Sequence, residues 1–465
     1  MPFDSVVLLS GCDKTTAAML LGAASADIPA VMVTGGPMLR GISGTTELAG
    51  ASEVWRLSEE QRAGRLTDDQ LLTLETCIAR SDGHCGVMGT ASTMASMAEA
   101  LGMTLPGNAA IPAADARRMT LADASGVLAV ELATSDRRPS TLMTRAAFEN
   151  AIAVDMAIGG STNAIVHLLA LARRVGVPLD LDDFDRISGR APLLANVKPS
   201  GEFQMEDFFC AGGIPAVIRQ LLPLLNGMAL TVNGRSIAEN AERAEILDPR
   251  IIRTVEAPLA PTGGTVVLRG NLCPDGAVLK RSVASPGLLR HRGRAVVFAN
   301  KRDLMARIDD PGLEVDATSV LVPQMGGPHG GPGMPEWGML PIPAKLIRQG
   351  VTDMVRVSDA RMSGTAYGTC VLHIAPESAI GGPLALVLDG DEIELDVDAR
   401  RLTLCVADEE LARRRAAWRP APPAFTRGYG RLYLDRVQQA DQGADFDFLA
   451  GGPGADREPY VPTSH

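Results

Sequence analysis

The sequence predicts an α/β protein in which an N-terminal parallel-sheet α/β domain is followed by a β-rich, barrel-like domain. In the first half, short apolar runs alternate with glycine-containing turns and helical stretches, as in parallel sheets. After about Arg250, short Val- and Leu-rich runs follow one another closely between Gly, Pro and Asp, as in small barrels. We therefore expect domains at 1–245 and 250–407, and a C-terminal helix and tail at 408–465.

The elements of the first domain follow from apolar patterning. Ser5–Ser10 and Ile28–Val33 are apolar runs of strand length, and each is followed by a turn that contains glycine. Apolar residues at helical spacing predict the helices Thr15–Ser25, Ser92–Leu101 and Asn163–Val175. Together they make up the strand–turn–helix sequence of an α/β layer.

The second domain is predicted from a series of short strands and one hairpin. The hairpin covers Glu392–Val406, where apolar and polar residues alternate. A polar and then proline-containing stretch, Asn240–Pro261, is the expected linker, and a charged helix is expected from Asp408. The expected strands are Gly264–Arg269, Ala295–Ala299, Ser319–Pro323, Met354–Val357 and Leu384–Leu388.

Composition limits the partners and the compartment. The chain has 465 residues and a formal net charge of -11 without a long basic run, which disfavours nucleic acid and anionic membranes as partners. No apolar stretch is long enough to span a membrane and the first residues lack a basic start, so a cytoplasmic location is expected. Seven scattered cysteines, an odd number, favour reduced thiols, some of them metal ligands.

The segment Gly11-Cys12-Asp13-Lys14 lies where the first strand passes into a helix. Unpaired N–H groups and the helix dipole stabilise a thiolate or carboxylate at such a position. Cys12 is a soft ligand and Asp13 a hard one, so the two could serve different metals. Lys14 would repel a cation unless it were carbamylated. A buried cysteine beside a capping aspartate is the simpler alternative.

Two further glycine-rich turns open onto helices. Cys85 lies in the first, at 81–86, beside His84, which is a candidate ligand but more commonly a packing residue. The second, at 159–163, contains Ser161, Thr162 and Asn163, which could cradle a carboxylate or simply cap the helix. No CxxC spacing accompanies Cys12 or Cys85, so the two cysteines do not by themselves specify a metal.

The last two motifs carry a carboxylate and a serine. Glu336 closes a run at 325–336 that is too rich in Gly and Pro for regular structure, and it is either a metal ligand or a solvated side chain. In the segment at 359–368, Arg361 could clamp a carboxylate. Ser363 has no neighbouring histidine base, so it could act as a base only if a cationic environment lowered its pKa.

Taken in order, these motifs resemble the IlvD/Edd dehydratase family from residue 1 to near 450. The resemblance lies in GCDKT, GxCxxMGTASTM, GGSTNAxxH, AGGIPAV, GNLCPDGA, GGPGMPE and the run DARMSGTAYGT…HxxPE…GGPLALV. It implies that Cys12 and Cys85 are two of three cysteine ligands of an iron–sulfur cluster, with [2Fe–2S] preferred over [4Fe–4S]. It also implies that Asp13 and Glu336 bind Mg²⁺, with Lys14 as a carbamylated ligand.

The family mechanism gives Ser363 the role of alkoxide base. Magnesium would bind the carboxylate and 2-hydroxyl of the substrate, Ser363 would take the C2 proton, and the open iron of the cluster would act on the 3-hydroxyl. The enol product would tautomerise to a 2-keto-3-deoxy acid. The substrate-binding positions expected are Arg361, Thr365, Ser161, Thr162 and Asn163.

The resemblance also indicates a substrate class. Branched-chain dihydroxy-acid dehydratases usually read RFSGG at the base motif, whereas this chain reads Arg361-Met-Ser363-Gly-Thr365. That reading resembles the sugar-acid branch, so we expect a hydro-lyase that acts on an aldonate and forms a dimer or tetramer. The dihydroxy-acid dehydratase of branched-chain amino-acid biosynthesis is the alternative.

One departure from the family concerns the residues before Cys12. In the family a long N-terminal segment supplies the third cysteine and an acidic magnesium ligand, and neither is matched here. We do not expect Cys77, Cys210, Cys273, Cys370 or Cys405 to replace the missing cysteine. A shortened version of an ordinary enzyme is the favoured reading, and an inactive truncated paralogue or a binding protein is the second alternative.

Overall fold

The computed structural model describes residues 3–44, 46–48 and 50–451, without the side chain of Thr46. It shows a mixed α/β protein in which a helix-rich region precedes a closed eight-stranded barrel. This confirms the expected order of an α/β part followed by a barrel. The tail at 452–465 lies outside the described residues.

The helix-rich region starts with two parallel strands. β1 (Val6–Ser10) pairs in parallel with β2 (Ala30–Thr34), and α1 (Asp13–Ala26) connects them. In the described part of the chain β1 has no other strand partner, so this sheet is two strands wide. A short antiparallel pair follows, β3 (Gly41–Ser43) with β4 (Thr46–Leu48). Helices provide most of the remaining layer.

Eleven more helices complete this region before the barrel. They are α2 (Gly50–Arg62), α3 (Asp68–Ile78), α4 (Thr90–Ala100), α5 (Ala116–Leu132), α6 (Pro139–Leu142), α7 (Arg145–Ile158), α8 (Asn163–Arg174), α9 (Leu181–Ser188), α10 (Met205–Cys210), α11 (Gly213–Leu221) and α12 (Ile237–Ala241). The predicted helices at 15–25, 92–101 and 163–175 correspond to α1, α4 and α8, each within about two residues at its ends.

Helix α4 is the centre of this region. All eleven of its residues are buried, and it packs against α1, α7 and α8. Its sequence, TASTMASMAEA, has no polar face, because small hydroxyl side chains bond back to the helix backbone, as Ser96 does to Ser92. A helix surrounded on every side needs such small residues for close approach. The start of α4 is therefore held rigidly.

The barrel contains the remaining eight strands. Around the barrel they run β10-β6-β5-β12-β11-β7-β8-β9, and β9 closes it by pairing in parallel with β10. The strands are β5 (Thr265–Gly270), β6 (Cys273–Lys280), β7 (Arg290–Phe298), β8 (Val320–Pro323), β9 (Arg356–Val357), β10 (Cys370–Ala375), β11 (Glu392–Asp396) and β12 (Arg401–Leu404). Two short helices lie between strands, α13 (Lys301–Arg307) and α14 (Ala344–Arg348).

The predicted strands of the barrel are largely confirmed, with one error. The runs at 264–269, 295–299, 319–323 and 354–357 overlap β5, β7, β8 and β9, and the hairpin is β11–β12. Leu384–Leu388 was wrong as a strand, since Pro383–Leu386 forms a short 3-10 helix. Pro383 at its start has no N–H for a strand ladder and suits a helical first turn.

Both ends of the barrel sequence are tied to the helical region. The expected linker packs along 193–195 through bridges of Ala195 with Ile252 and Leu193 with Ala260. After the barrel come α15 (Asp408–Ala417), the predicted charged helix, and α16 (Gly428–Arg436). The following segment returns to α8, where Arg174 bonds Asp445 through two nitrogens at 2.6 and 2.8 Å.

Candidate active site

Four segments meet where the helical region contacts the barrel. They are the start of α1, the start of α8, the glycine-rich loop at 326–336 and the loop at 361–367. The Asn163 Nδ2 amide donates to Glu336 Oε1 at 2.6 Å and to the Met362 carbonyl at 3.0 Å, so one side chain joins three of them. The Lys14 Nζ lies 3.3 Å from Glu336 Oε2, which adds the fourth.

Asp13, Lys14, Glu336 and Arg361 form a charged cluster. The ammonium of Lys14 lies between two carboxylates, 2.9 Å from Asp13 Oδ2 and 3.3 Å from Glu336 Oε2. Burial raises the pKa of Asp13, but the hydrogen bonds from Lys14 outweigh it and leave this pKa below its ordinary value. Burial and the nearby Asp13 charge raise the pKa of Glu336. The cluster thus places two carboxylates around one cation.

Arg361 connects this cluster to the glycine-rich loop. Its side chain is buried, and its Nε donates to the Met334 carbonyl at 2.7 Å. That is the one hydrogen bond of its guanidinium to the described residues, so the two terminal nitrogens keep their donors for another partner. Burial lowers the pKa of Arg361, although Glu336 and Asp13 act against this. An anionic group entering the site would find these donors unused.

Cys12 and Cys85 lie near each other as free thiols. Cys12 occupies the N-cap position of α1, without a side-chain cap hydrogen bond. Burial raises the pKa of the Cys85 thiol to about 11, with a further contribution from the charge of Cys12. Burial likewise raises the pKa of Cys12. Cys12 thus lies at a helix start, as the sequence predicted, whereas Cys85 lies in the turn before Gly89, the N-cap residue of α4.

A hydroxyl cluster lies beside the charged one. It consists of the hydroxyl groups of Ser161, Ser363, Thr365 and Thr90 together with the side-chain amide of Asn163. The Ser363 and Thr365 hydroxyl oxygens lie 2.9 Å apart, and those of Thr90 and Ser161 also lie 2.9 Å apart. The Asn163 amide donates to Thr90 Oγ1 at 3.0 Å and so joins this cluster to Glu336. The sequence analysis missed Thr90, which stands in the second cysteine motif.

The start of α8 is capped by Ser161. Its Oγ accepts the backbone N–H of Asn163 at 3.2 Å, whereas Thr162 is buried and makes no side-chain cap bond. Gly364 is required beside it, because a Cβ there would lie 2.5 Å from Ser161 Oγ. Gly89 plays the same part opposite Thr365, where a Cβ would lie 2.5 Å from Thr365 Cγ2. The helical region and the loop at 361–367 therefore come into close contact at these two glycines.

Glu377 holds the glycine-rich loop, and the sequence analysis did not give it this role. Its side chain is 1% exposed and accepts the backbone N–H of Gly330 at 2.9 Å and of His329 at 2.9 and 3.0 Å. Gln439 donates to the same carboxylate at 2.8 Å. The signal available in the sequence was the HxxPE motif at 373–377. The loop that carries Glu336 is therefore held in place by the Glu377 carboxylate.

Helix α2 supports the Ser363 loop and was also missed. Trp55 Nε1 donates to Thr365 Oγ1 at 2.8 Å, and Ser52 Oγ donates to the Thr365 carbonyl at 2.7 Å. One turn later the Tyr367 hydroxyl donates to Glu59 Oε2 at 2.9 Å. These partners are some 310 residues apart in sequence. No local pattern signals such a contact.

His84 is buried, and His167 is partly buried with its Nε2 atom shielded from solvent. Burial lowers the pKa of His84 to about 4 and that of His167 to about 3, so both are neutral at pH 7. The Nε2 atom of each has no partner among the described residues. The His84 Nδ1 lies 3.2 Å from the Cys85 carbonyl. His84 therefore supports the Cys85 turn.

The residues present fit a hard divalent cation. Lys14 already shows that positive charge is stable between Asp13 and Glu336, and the buried Asn163 Oδ1 has no partner within the described residues. Carboxylate and amide oxygens are what Mg²⁺ prefers. Two facing thiols fit part of the ligand set of an iron–sulfur cluster. No group of three or more His, Cys, Asp or Glu side chains is assembled for a metal in the described chain.

The helices of the described chain give no candidate for a membrane span, because none combines sufficient length with sufficient apolar character.

Comparison with known families gives matches to both parts of the chain. Residues 1–240 match the family described as Dihydroxy-acid/6-phosphogluconate dehydratase N-terminal. Residues 250–444 match Dihydroxy-acid/6-phosphogluconate dehydratase C-terminal. The two matches meet at the expected linker and together cover nearly the whole described chain.

Comparison with characterised proteins gives relatives of high similarity. The L-arabonate dehydratase of Azospirillum brasilense is 54% identical over 98% of this chain and 80% of its own length. The L-arabinonate dehydratase of Rhizobium leguminosarum bv. trifolii is 52% identical over 97% of this chain and 78% of its own. The 6-deoxy-6-sulfo-D-gluconate dehydratase of Pseudomonas putida is 46% identical over 99% and 80%.

Proposed function

The chain belongs to the dihydroxy-acid/6-phosphogluconate dehydratase family of hydro-lyases, and from that premise we propose that it dehydrates a sugar acid of the aldonate type to a 2-keto-3-deoxy acid. The observation that carries this proposal is the contact between the charged cluster and the hydroxyl cluster through Asn163. A 2,3-dihydroxy acid has a carboxylate at C1 and, on the adjacent C2, the proton that must be removed. The charged cluster can bind the carboxylate, and the neighbouring hydroxyl cluster can take the proton.

We assign the anionic end of the substrate to the charged cluster. Arg361 has unused guanidinium donors, and the start of α8 adds the positive end of its dipole. Ser161, Thr162 and Asn163 lie at that helix start, where hydroxyl groups of the substrate can be bonded. The names of the similar proteins, which include arabinonate and sulfogluconate dehydratases, support a polyhydroxylated acid.

We assign the proton abstraction to Ser363. Its Oγ lies beside Thr365, which can donate to it once it is deprotonated. It would take the C2 proton, the C3–O bond would break, and the 3-hydroxyl would leave as water with the proton returned from Ser363, which restores the alkoxide. The enol that remains would tautomerise to the ketone. Two contacts hold the base in place. One is with Thr365, and the other is the hydrogen bond from the Ser363 backbone N–H to the Gly338 carbonyl, at 2.8 Å.

Asp13, Glu336 and a modified Lys14 would hold Mg²⁺, and Cys12 and Cys85 would hold part of an iron–sulfur cluster. When bound, these groups would supply Lewis acidity towards the oxygens of the substrate. We further infer a cluster of the [2Fe–2S] type and a homo-oligomeric enzyme. Iron and sulfide content with electron paramagnetic resonance tests the first, and analytical ultracentrifugation tests the second.

We also infer a division of labour along the chain. Residues 1–245 would form the metal-site domain on the parallel strands, 250–407 a swivel-type barrel that carries Ser363, and 408–465 a C-terminal helix and tail. The separate family matches to 1–240 and 250–444 support a boundary near residue 245. Under this division the active site lies between the two domains.

Direct assay tests the proposed activity. Anaerobically prepared protein should convert L-arabinonate to a 2-keto-3-deoxy acid, detected by semicarbazide or mass spectrometry, in preference to 2,3-dihydroxyisovalerate. The reverse preference would favour the branched-chain alternative, which the Met362 and Thr365 positions of the base motif oppose. Protein that binds aldonate without turning it over, even when loaded with iron, sulfide and Mg²⁺, would overturn the assignment as an enzyme.

A further inference from the structure

A chain of hydrogen bonds leads from helix α2 to the proposed base. Trp55 Nε1 donates to Thr365 Oγ1 at 2.8 Å, and this oxygen lies 2.9 Å from Ser363 Oγ. Thr365 is 5% exposed, so water contributes little to these contacts. Trp55, at one end, lies in the N-terminal family match, and Ser363, at the other end, lies in the C-terminal one.

The direction of this chain of bonds follows from donor chemistry. An indole nitrogen can only donate, so Thr365 Oγ1 accepts from Trp55. While both hydroxyls are protonated, either Ser363 or Thr365 can donate to the other, but once Ser363 is deprotonated the hydrogen between the two oxygens can come only from Thr365. The backbone N–H of Thr365 also donates to Ser363 Oγ, at 3.3 Å. The deprotonated Ser363 Oγ thus receives two hydrogen bonds from one residue.

This arrangement favours the deprotonated form of Ser363. Hydrogen bonds donated to an oxygen stabilise its anion more than its neutral form. The donation from Trp55 polarises the Thr365 hydroxyl and makes it a stronger donor, because hydrogen bonds in series reinforce one another. The effect is largest where water is excluded, as it is around Thr365.

The indole ring packs against the segment that follows the glycine-rich loop. A Cβ on Gly338 would lie 2.9 Å from the Trp55 ring, so only glycine lets the loop lie this close, and its φ of +76° also suits glycine. The carbonyl of Gly338 accepts the backbone N–H of Ser363 at 2.8 Å. Gly338 thus fixes the distance between the donor at one end of the chain of bonds and the base at the other.

We propose that Trp55 is a positioning residue that orients the Thr365 hydroxyl as a donor to Ser363 Oγ and so stabilises the alkoxide. This rests on the proposed role of Ser363 as base. Ser52 provides a matched comparison, since it lies on the same helix and donates to the Thr365 backbone carbonyl at 2.7 Å. It ties α2 to the same residue without entering the chain of hydroxyl bonds.

The test places a thiol at the position of the base and measures how strongly its anion is stabilised. In a Ser363→Cys background, the rate of iodoacetamide alkylation at position 363 is followed against pH, with the peptide identified by mass spectrometry. The measurement needs neither metal nor turnover. Trp55→Phe should raise the pKa of this thiol and lower its alkylation at pH 7 about five- to tenfold, the value of one hydrogen bond. Ser52→Ala should leave both within twofold.

A second pair of variants protects the test against a folding defect in Trp55→Phe. Thr365→Val should slow alkylation as Trp55→Phe does, whereas Thr365→Ser should restore it. The chain has three tryptophans, so the Trp55 indole N–H signal can be assigned by NMR, and it should move upfield in Thr365→Val and return in Thr365→Ser.

Equal effects of Trp55→Phe and Ser52→Ala, or no effect of Thr365→Val on the Trp55 signal, would overturn the proposal. Failure of Ser363 as base shows separately, as dehydration retained in Ser363→Ala. The two failures are therefore distinguishable.

Discussion

The charged cluster and the hydroxyl cluster lie side by side but are stabilised differently. In the charged cluster, Lys14 is 54% exposed at its side chain and balances two carboxylates whose pKa values move in opposite directions. In the hydroxyl cluster, neutral groups are buried and bonded to one another. The charged cluster therefore suits exchange of one cation for another, whereas the hydroxyl cluster holds its geometry with no ligand present. Four predictions test this difference, beginning with the largest effect.

Ser363→Ala removes the base from the hydroxyl cluster. We expect dehydration to fall roughly a thousandfold, within the range for loss of a general base, while iron content and the unfolding midpoint stay unchanged. Steady-state rates with aldonate measure the effect. Ser140→Ala, which removes a hydroxyl bonded to Asp27 on the helical surface, is the matched control and should retain full activity. Dehydration retained in Ser363→Ala would show that the hydroxyl cluster contains no base.

Glu377→Gln loosens the loop that carries Glu336 into the charged cluster. The amide nitrogen cannot accept the loop N–H groups, so we expect unfolding to become easier by about 2 to 4 kcal/mol, as for a broken buried charged network. Urea denaturation measures this loss, and isothermal titration calorimetry measures the fall in Mg²⁺ affinity expected because the same loop carries Glu336.

The control for this variant is Glu99→Gln, which removes a buried carboxylate bonded to Gly107 and Ala109 far from the loop. It should cost similar stability while Mg²⁺ affinity is kept. If Glu377→Gln and Glu99→Gln lower the Mg²⁺ affinity equally, the bonds from Glu377 to the loop have no particular effect on the metal site.

Asn163→Ala cuts the bond between the two clusters. Glu336 would lose a donor at 2.6 Å, and we expect Mg²⁺ affinity to fall about 10- to 100-fold, as for other partners of metal ligands. Isothermal titration calorimetry gives the constant. Asn150→Ala, which removes an amide bonded to Asn226 in the helical core, should leave it unchanged. An unaltered dissociation constant for Mg²⁺ in Asn163→Ala would mean that the charged cluster and the hydroxyl cluster act independently.

Asp155 lies behind the hydroxyl cluster, under the turn at Gly160, and gives a smaller, pH-dependent effect. Burial raises its pKa to about 7, although Lys280 opposes this. A raised folded-state pKa means that the folded protein keeps a proton the unfolded chain has lost. Stability from this group is therefore complete below about pH 4 and is lost as pH rises to about 7.

Asp155→Asn should flatten that dependence, by roughly 1 to 3 kcal/mol between pH 4 and pH 6. Denaturation at several pH values within this window measures it, because Lys280, whose pKa burial lowers to about 8, stays charged there. A slope identical in both proteins would refute the assignment.

The sequence predicted the parts of the site that lie within motifs. Cys12, Cys85, Asp13 and Glu336 each stand on glycine-rich turns, and glycine marks close backbone approach wherever it occurs. Their meeting was expected from the family resemblance alone, because spacing along the chain does not specify which turns come together. The structure supplies Asn163 as the side chain that joins Glu336 to the hydroxyl cluster.

The parts that were not predicted depend on long-range contacts. In the sequence Trp55 and Ser52 look like ordinary helix residues. They support the site because they donate hydrogen bonds to Thr365, which is more than three hundred residues away. Among the barrel strands, β6 and β10 were not predicted. The Gly and Pro in β6, at Pro274 and Gly276, hide its strand character, although the register with β5 and β10 accommodates them.

The closed barrel and the β1–β2 pair differ in how they can meet other chains. Every barrel strand has a neighbour on both sides, so the barrel offers no open ladder to another molecule. In the described residues β1 has one free edge, with Val7 and Leu9 exposed along it. Aggregation by strand addition would therefore begin at β1, and a lysine at Leu9 would be the simplest way to slow it.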